Sequence, residues 1–191
     1  MTFLSDPEET AGARRMYDAD LADDGFVMNL TRLWAHAPEA DTAFRDLTAL
    51  ASAGQSMRER GVLVTATAAA LGDSYCALAW GGRLADEAGA DVAAATLSGE
   101  DDAVLDARDR ALASWARAVV RDPSGTTSAD LEPLRAAGYD DAAIFSLTLY
   151  VGLRLAFSSV NGALGAAPDH EVADAAPPAV RAAVTWGRAP A

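Results

Sequence analysis

Cys76 is the one cysteine of this 191-residue chain, within Leu71-Gly72-Asp73-Ser74-Tyr75-Cys76-Ala77-Leu78-Ala79-Trp80, directly after the apolar run Val62–Leu71. Gly72 breaks a helix, and Asp73 or Ser74 can cap the next one, which puts the thiol in a first helical turn. A helix start favours a thiolate by about 0.3–1 kcal/mol. Asp73, one turn away, opposes it, because a neighbouring carboxylate disfavours a second negative charge. As a cap, Asp73 also spends part of its charge on backbone N–H groups. These effects are similar in size, so the acidity of the thiol stays open. Cys76 reads either as a small buried hydrophobe or as a nucleophile whose helpers are missing.

Three further side chains belong to the same question. Trp80, four residues after Cys76, shares its helix face, either as core packing or as the wall of a pocket for an aromatic or apolar ligand. Tyr75 carries a phenol that can donate a hydrogen bond to a ligand or to a backbone acceptor. Glu59, in Met57-Arg58-Glu59-Arg60, reads first as part of a helix-start charge cluster and second as a carboxylate available to the thiol. The two histidines stand apart: His36 in a helix-end context before Pro38, and His170 in the acidic stretch Asp169-His170-Glu171. Both read as structural or solvated.

The elements that must position these residues all read as helices. Pro7–Asp24 is a polar first helix, and Asn29 caps a short one reaching His36. Pro38 opens a helix towards Ala53 with Ala43, Phe44, Leu47 and Leu50 at helical spacing. Met57–Leu71 is more apolar and expected to be central. The Cys76 helix runs to about Ala88, and Asp91–Leu97 is a short helix or turn. Asp101–Val120 reads as a long amphipathic helix with Val104, Leu105, Ala111, Leu112, Trp115 and Val119 inward. Ser128 caps a helix ending at Gly138, and Asp140 caps the most apolar helix, Asp141–Leu164. The Pro- and Ala-rich segment from Ala166 wraps or frays. With no strand pattern and no strict repeat, the expected class is all-α, a single-domain multi-helix bundle. Residues 1–36 are read as an N-terminal helical extension packing on the core, 37–165 as the helical core and 166–191 as a tail.

Composition excludes several functions. The net charge is −13, from 28 acidic and 15 basic residues, and all 15 are arginines. Lysine Schiff-base chemistry is thereby excluded. The acidity argues against nucleic acid or an anionic membrane as the main partner. One cysteine rules out a disulfide framework within the chain, and no Cys/His cluster suggests a metal site. No cofactor is expected. The most apolar stretch, Ala142–Phe157, is short for a membrane span and contains Arg154, so a buried core helix is expected. Met1–Pro7 lacks the basic flank and apolar core of a secretory signal, so cytoplasmic residence is the expectation.

Three stretches together carry a family resemblance: Phe26-Val27-Met28-Asn29-Leu30-Thr31-Arg32-Leu33-Trp34-Ala35-His36-Ala37-Pro38-Glu39; Met57-Arg58-Glu59-Arg60 leading to Asp73-Ser74-Tyr75-Cys76; and Leu131-Glu132-Pro133-Leu134-Arg135-Ala136-Ala137-Gly138-Tyr139-Asp140-Asp141 leading to Ala163-Leu164-Gly165. In order and spacing they resemble the peroxidase-related branch of the alkylhydroperoxidase D (AhpD)-like, or carboxymuconolactone decarboxylase, superfamily, over roughly residues 7 to 172. The resemblance implies an all-helical homo-oligomer of antioxidant enzymes with a Cys-x-x-Cys motif, a His four residues after the second Cys and a Glu on the preceding helix. In such a site one thiolate attacks a peroxide and the second thiol resolves the sulfenic acid. Laid onto this chain, Cys76 matches the second Cys and Tyr75 matches. The first Cys position is Asp73, the His position Trp80 and the Glu position Gly61, with Glu59 close by. An Asn-Arg pair expected near the end of the last long helix is Ser158-Ser159.

The standard disulfide mechanism is therefore not expected. Three functions compete. One is a one-cysteine hydroperoxide reductase, using Cys76 with an external thiol reductant. A second is a non-catalytic homo-oligomer that binds a small molecule or serves as a scaffold. The third is acid–base, lyase- or decarboxylase-like chemistry on a small carbonyl or lactone substrate, with only Asp73, Glu59 and Tyr75 to replace the missing His.

Overall fold

The computed structural model describes residues 2–99 and 103–191. Among the described residues there is no strand, and the order is α1 (Ala11–Asp23), α2 (Asn29–Trp34), α3 (Pro38–Ala51), α4 (Met57–Leu71), α5 (Ser74–Ala88), α6 (Ala90–Ser98), α7 (Ala107–Arg121), a 3-10 turn (Ser128–Leu131), α8 (Glu132–Ala136), α9 (Asp141–Ala163), α10 (His170–Ala175) and α11 (Pro178–Ala183). The all-α class read from the sequence is the class of the structure.

α4 is the axis of the bundle. Val62, Leu63, Val64, Thr65, Ala66, Thr67 and Ala68 are all buried, because α5, α6, α7 and α9 surround it. A helix apolar around its whole circumference belongs at the centre of a bundle. Small residues set how closely its neighbours approach. A Cβ added to Gly61 would lie 3.0 Å from Leu84 Cδ1 and 3.2 Å from Leu84 Cβ, so α5 closes directly over that position. Gly81 does the same for the C-terminal segment, since a Cβ there would meet Val180 at 2.8 Å.

Helix boundaries follow their caps. Gly72 takes φ +73° and ends α4, and Asp73 then caps α5. The first helix begins at Ala11 rather than Pro7, because Thr10 Oγ1 accepts from Ala13 N at 3.1 Å. The expected helix from Asp101 begins at Ala107: Asp106 is its cap, accepting from Asp109 N at 2.8 Å, while Leu105 is buried ahead of the helix. Asp101 itself lies outside the described residues. Asn29 does not cap α2 with its own side chain. It is the first helical residue, and its N–H is satisfied at 3.0 Å by Asp169, from the far end of the chain. The final segment wraps: α10 and α11 pack on α5, and Ala191 N donates to Pro168 O at 2.9 Å.

α9 occupies the span expected of the most apolar helix, ending at Ala163 with Leu164 as its cap. At 23 residues it is long and apolar enough, by length and composition, to cross a membrane. Its inner face packs against α3, α4 and α7 and carries the buried Arg154, as a core helix does. Its outer face leaves Phe145 69% exposed and Val160 40% exposed.

A polar clamp fixes the start of α4 on α7. Ser56 and Glu59 form a capping box: Glu59 N donates to Ser56 Oγ at 3.2 Å, and Ser56 N donates to Glu59 Oε2 at 2.7 Å. Arg108 Nη2 donates to Glu59 Oε1 at 2.7 Å, the Tyr139 hydroxyl donates to the same oxygen, and Arg58 Nη2 donates to Asp109 at 2.6 Å. Burial alone would raise the Glu59 pKa, but the hydrogen bonds from Tyr139, Ser56 and Arg108 outweigh it and hold the carboxyl at about 2. A depressed folded-state pKa stabilises the fold above the unfolded carboxyl's value, and that stabilisation is lost as pH falls through the folded one. The melting temperature is therefore expected to fall from about pH 4.5 towards pH 2 with a slope to which Glu59 contributes. In Glu59→Gln the melting temperature is lower at pH 7 and the slope over that interval shallower, as read by circular dichroism melts across pH.

Candidate functional site

The thiol lies at the floor of a large cavity. Cys76 is 2% exposed, on the first turn of α5, and its backbone N–H donates to Asp73 Oδ1 at 3.1 Å. Above it opens a cavity of about 910 Å³, walled by α1, α2, α3, α5, α9 and α10, with Tyr75, Cys76, Trp80, Arg154 and Phe157 among its lining residues. Phe26, Met28, Leu30 and Leu78 add apolar wall. Asp20, Asp23, Asp24, Asp41, Asp86 and Glu171 also line it, and of these Asp23, Asp24, Asp86 and Glu171 are exposed.

Arg154 is the group sequence reasoning missed. It lies on α9, 9% exposed, and its Nη2 donates to Cys76 Sγ at 3.4 Å. Its guanidinium carbon stands 5.4 Å from the Trp80 ring centroid and 4.9 Å from that of Phe157. Arg83 lies against Trp80 as well, at 5.0 Å, so the indole has two guanidinium neighbours. Phe157 in turn stacks on Trp34, whose Nε1 donates to Asn161 Oδ1 at 2.9 Å. The signal for Arg154 was a single cation inside the most apolar helix. A cation there must have a reason to be buried.

The thiol is held neutral. Burial pushes the Cys76 pKa up, and the Asp73 carboxylate pushes it further, both by its charge and by accepting the thiol proton. The charge of Arg154 and a hydrogen bond from Ser158 pull the other way, and the balance stands at about 12. Of the two residues at the expected Asn-Arg position, Ser158 therefore reaches the sulfur. Ser159 is exposed and donates to Leu155 O at 2.7 Å.

The other sequence candidates sit as follows. Asp73 caps α5 and lies beside the thiol without lining the cavity; its Oδ2 is buried with no hydrogen-bond partner. Tyr75 lines the cavity with its ring, while its hydroxyl donates to Asp169 Oδ2. Burial raises the Asp169 pKa against the opposing hydrogen bonds from Tyr75 and Asn29, and burial with the Asp169 bond raises that of Tyr75. Trp80 is cavity wall, half-buried. Glu59 is not brought to the cavity: it belongs to the clamp with Arg108 and Tyr139. Gly61 has no room for a carboxylate without moving Leu84. His36 is exposed, its Nε2 3.1 Å from Ser5 O, and His170 is exposed at the start of α10. Among the described residues no cluster of His, Cys, Asp and Glu could hold a metal ion.

A neutral thiol beside a guanidinium, under aromatic walls, can hold a small organic molecule. It can act as a nucleophile only after losing a proton that Asp73 retains. Asp73→Asn keeps a capping side chain and removes the charge. The Cys76 pKa is expected to fall by at least about one unit in this variant, read from the pH profile of iodoacetamide alkylation.

No family model matches the chain, and no curated protein does. Solved structures do. A peroxidase-related protein of Ralstonia eutropha JMP134, described as an alkylhydroperoxidase AhpD core, superposes with a TM-score of 0.80 at 24% identity over 90% of this chain and 94% of the other. A peroxidase-related protein of Silicibacter sp. TM1040 gives 0.77 at 21% identity, again over 90% and 94%. The debrominase Bmp8, as a cysteine-to-alanine variant in complex with 2,3,4-tribromopyrrole, gives 0.67 at 16% identity over 95% of each chain. The fold is therefore AhpD-like, which bears out at the level of fold the resemblance read from the sequence.

Proposed function

We propose that this chain is a small-molecule-binding protein built on the peroxidase-related, AhpD-like fold, with the cavity over Cys76 as its binding site. The observation that carries this reading is the cavity of about 910 Å³ closing on Cys76, Arg154, Trp80 and Phe157. That is the size of a pocket for a small organic ligand, and it combines apolar walls with a few convergent polar groups. A fold neighbour, the debrominase, is complexed with 2,3,4-tribromopyrrole. A flat aromatic of that kind is the occupant proposed here.

A two-thiol redox cycle within the chain is excluded, because Cys76 has no second cysteine to pair with. A one-cysteine hydroperoxide reductase is the second reading, favoured by the 3.4 Å approach of Arg154 to the sulfur. In that reaction the thiolate attacks the outer peroxide oxygen and the O–O bond breaks. The departing alkoxide takes a proton and leaves as the alcohol, and the sulfur becomes a sulfenic acid. One external thiol then expels water to form a mixed disulfide, and a second displaces Cys76 and leaves as the external disulfide. The obstacle is the resting thiol. With a pKa at about 12, only about one molecule in 10⁵ carries a thiolate at pH 7. Acid–base chemistry has least support, because neither histidine lines the cavity and the Tyr75 hydroxyl is committed to Asp169.

Reaction with an organic hydroperoxide, followed by dimedone trapping of sulfenic acid, separates the two readings. Binding without catalysis is expected to give trapping that is slow at pH 7 and rises about tenfold per pH unit towards pH 9. Rapid turnover at pH 7 that disappears in Cys76→Ser would instead establish the reductase.

The protein is also proposed to be a homo-oligomer, on the support of the exposed apolar face of α9 at Phe145 and Val160 and of Leu47 and Leu50 on the neighbouring α3. Sedimentation equilibrium is expected to give a multiple of 19.7 kDa, and Phe145→Glu to shift the population towards that single mass. A wild-type protein at the single mass overturns it.

A further inference from the structure

Arg154 is the most buried arginine among the described residues. The more exposed Arg45, Arg58 and Arg108 each reach a carboxylate, at 2.6, 2.6 and 2.7 Å, and the half-buried Arg117 donates to the Thr96 carbonyl. Arg154, at 9% exposure, has no ion pair among the described residues. Its contacts are the Cys76 sulfur and the faces of Trp80 and Phe157, and its Nε is buried without a hydrogen-bond partner. Desolvating a cation without an anion is unfavourable. The aromatic faces recover part of that cost, because ring quadrupoles attract a cation. Arg154 lines the cavity, so an anion held there can recover the rest.

The lining residues specify the anion. Trp80, Phe157, Phe26 and Leu78 offer flat apolar surface for a ring. A planar guanidinium pairs best with a planar carboxylate, which can accept two parallel hydrogen bonds. The acidic side chains lining the cavity repel a dianion such as phosphate more strongly than a single negative charge. Entry of a monoanion is helped by Arg83, which also lines the cavity and lies 5.0 Å from the Trp80 ring centroid.

We propose that the cavity takes a small aromatic carboxylate, its carboxylate ion-paired to Arg154 and its ring against Trp80 and Phe157. This rests on the reading of the Cys76 cavity as a binding site. Calorimetric titration of the full chain with naphthoate, with the neutral isostere naphthamide, and with inorganic phosphate tests it. Naphthoate is expected to bind wild type about 10- to 100-fold more tightly than naphthamide, the worth of a charge-assisted hydrogen-bonded pair. Phosphate is expected not to bind. In Arg154→Met the naphthoate affinity falls to that of naphthamide, and naphthamide itself changes by less than about threefold. Arg154→Lys restores part of the preference, and melts by circular dichroism establish that both variants are folded. Equal binding of acid and amide to wild type overturns the carboxylate proposal and leaves the cavity reading standing. Binding of neither ligand at millimolar concentration overturns both. Phosphate binding without naphthoate binding overturns the proposal in favour of an inorganic anion site.

Discussion

The Asp73 carboxylate joins the fold of this protein to its chemistry. One oxygen accepts the Cys76 N–H and so starts α5 immediately after the Gly72 turn. Burial raises the pKa of the thiol, and the same carboxylate raises it further. The requirement of a helix start for an acceptor is met by a residue whose charge silences the nucleophile that the helix presents.

Arg154 acts on the same sulfur with a charge of the opposite sign, its Nη2 donating to Sγ at 3.4 Å. The bundle supports this arrangement because α4 is enclosed on every side, so α5 and α9 meet across a rigid axis. Gly61 and Gly81 let α5 sit tightly between α4 and the C-terminal helices. That close packing leaves the cavity as the remaining open volume beside the thiol, and its polarity is set by a few side chains.

Much of the bundle was legible in the sequence. The limits of α4 follow from its apolar run and Gly72, and the start of α9 follows from Asp140. The start of α7 was misplaced because Asp101 and Asp106 are both good caps, and only packing of Leu105 ahead of the helix selects the second. α10 and α11 were illegible for a different reason: they are short, rich in Ala and Pro, and stabilised by distant partners such as Gly81. In the site, Cys76 and Trp80 followed from spacing on one helix. Arg154 was visible as an odd charge in an apolar helix, but its destination depends on how α9 crosses α5. The bond of Tyr75 to Asp169 joins residues 94 apart and leaves no local pattern.

That distant bond also has a kinetic meaning. The floor of the cavity, α4 and α5, consists of neighbours in sequence that can pair early with little loop closure. The wall carrying Asp169, α10 and α11 docks only after the rest of the chain has been laid down, and it closes a loop of 94 residues. The contacts of Asp169 with Tyr75 and Asn29 thus form at a greater loop-closure cost than the α4–α5 pair, so the wall of the cavity is set by partners far apart in the chain.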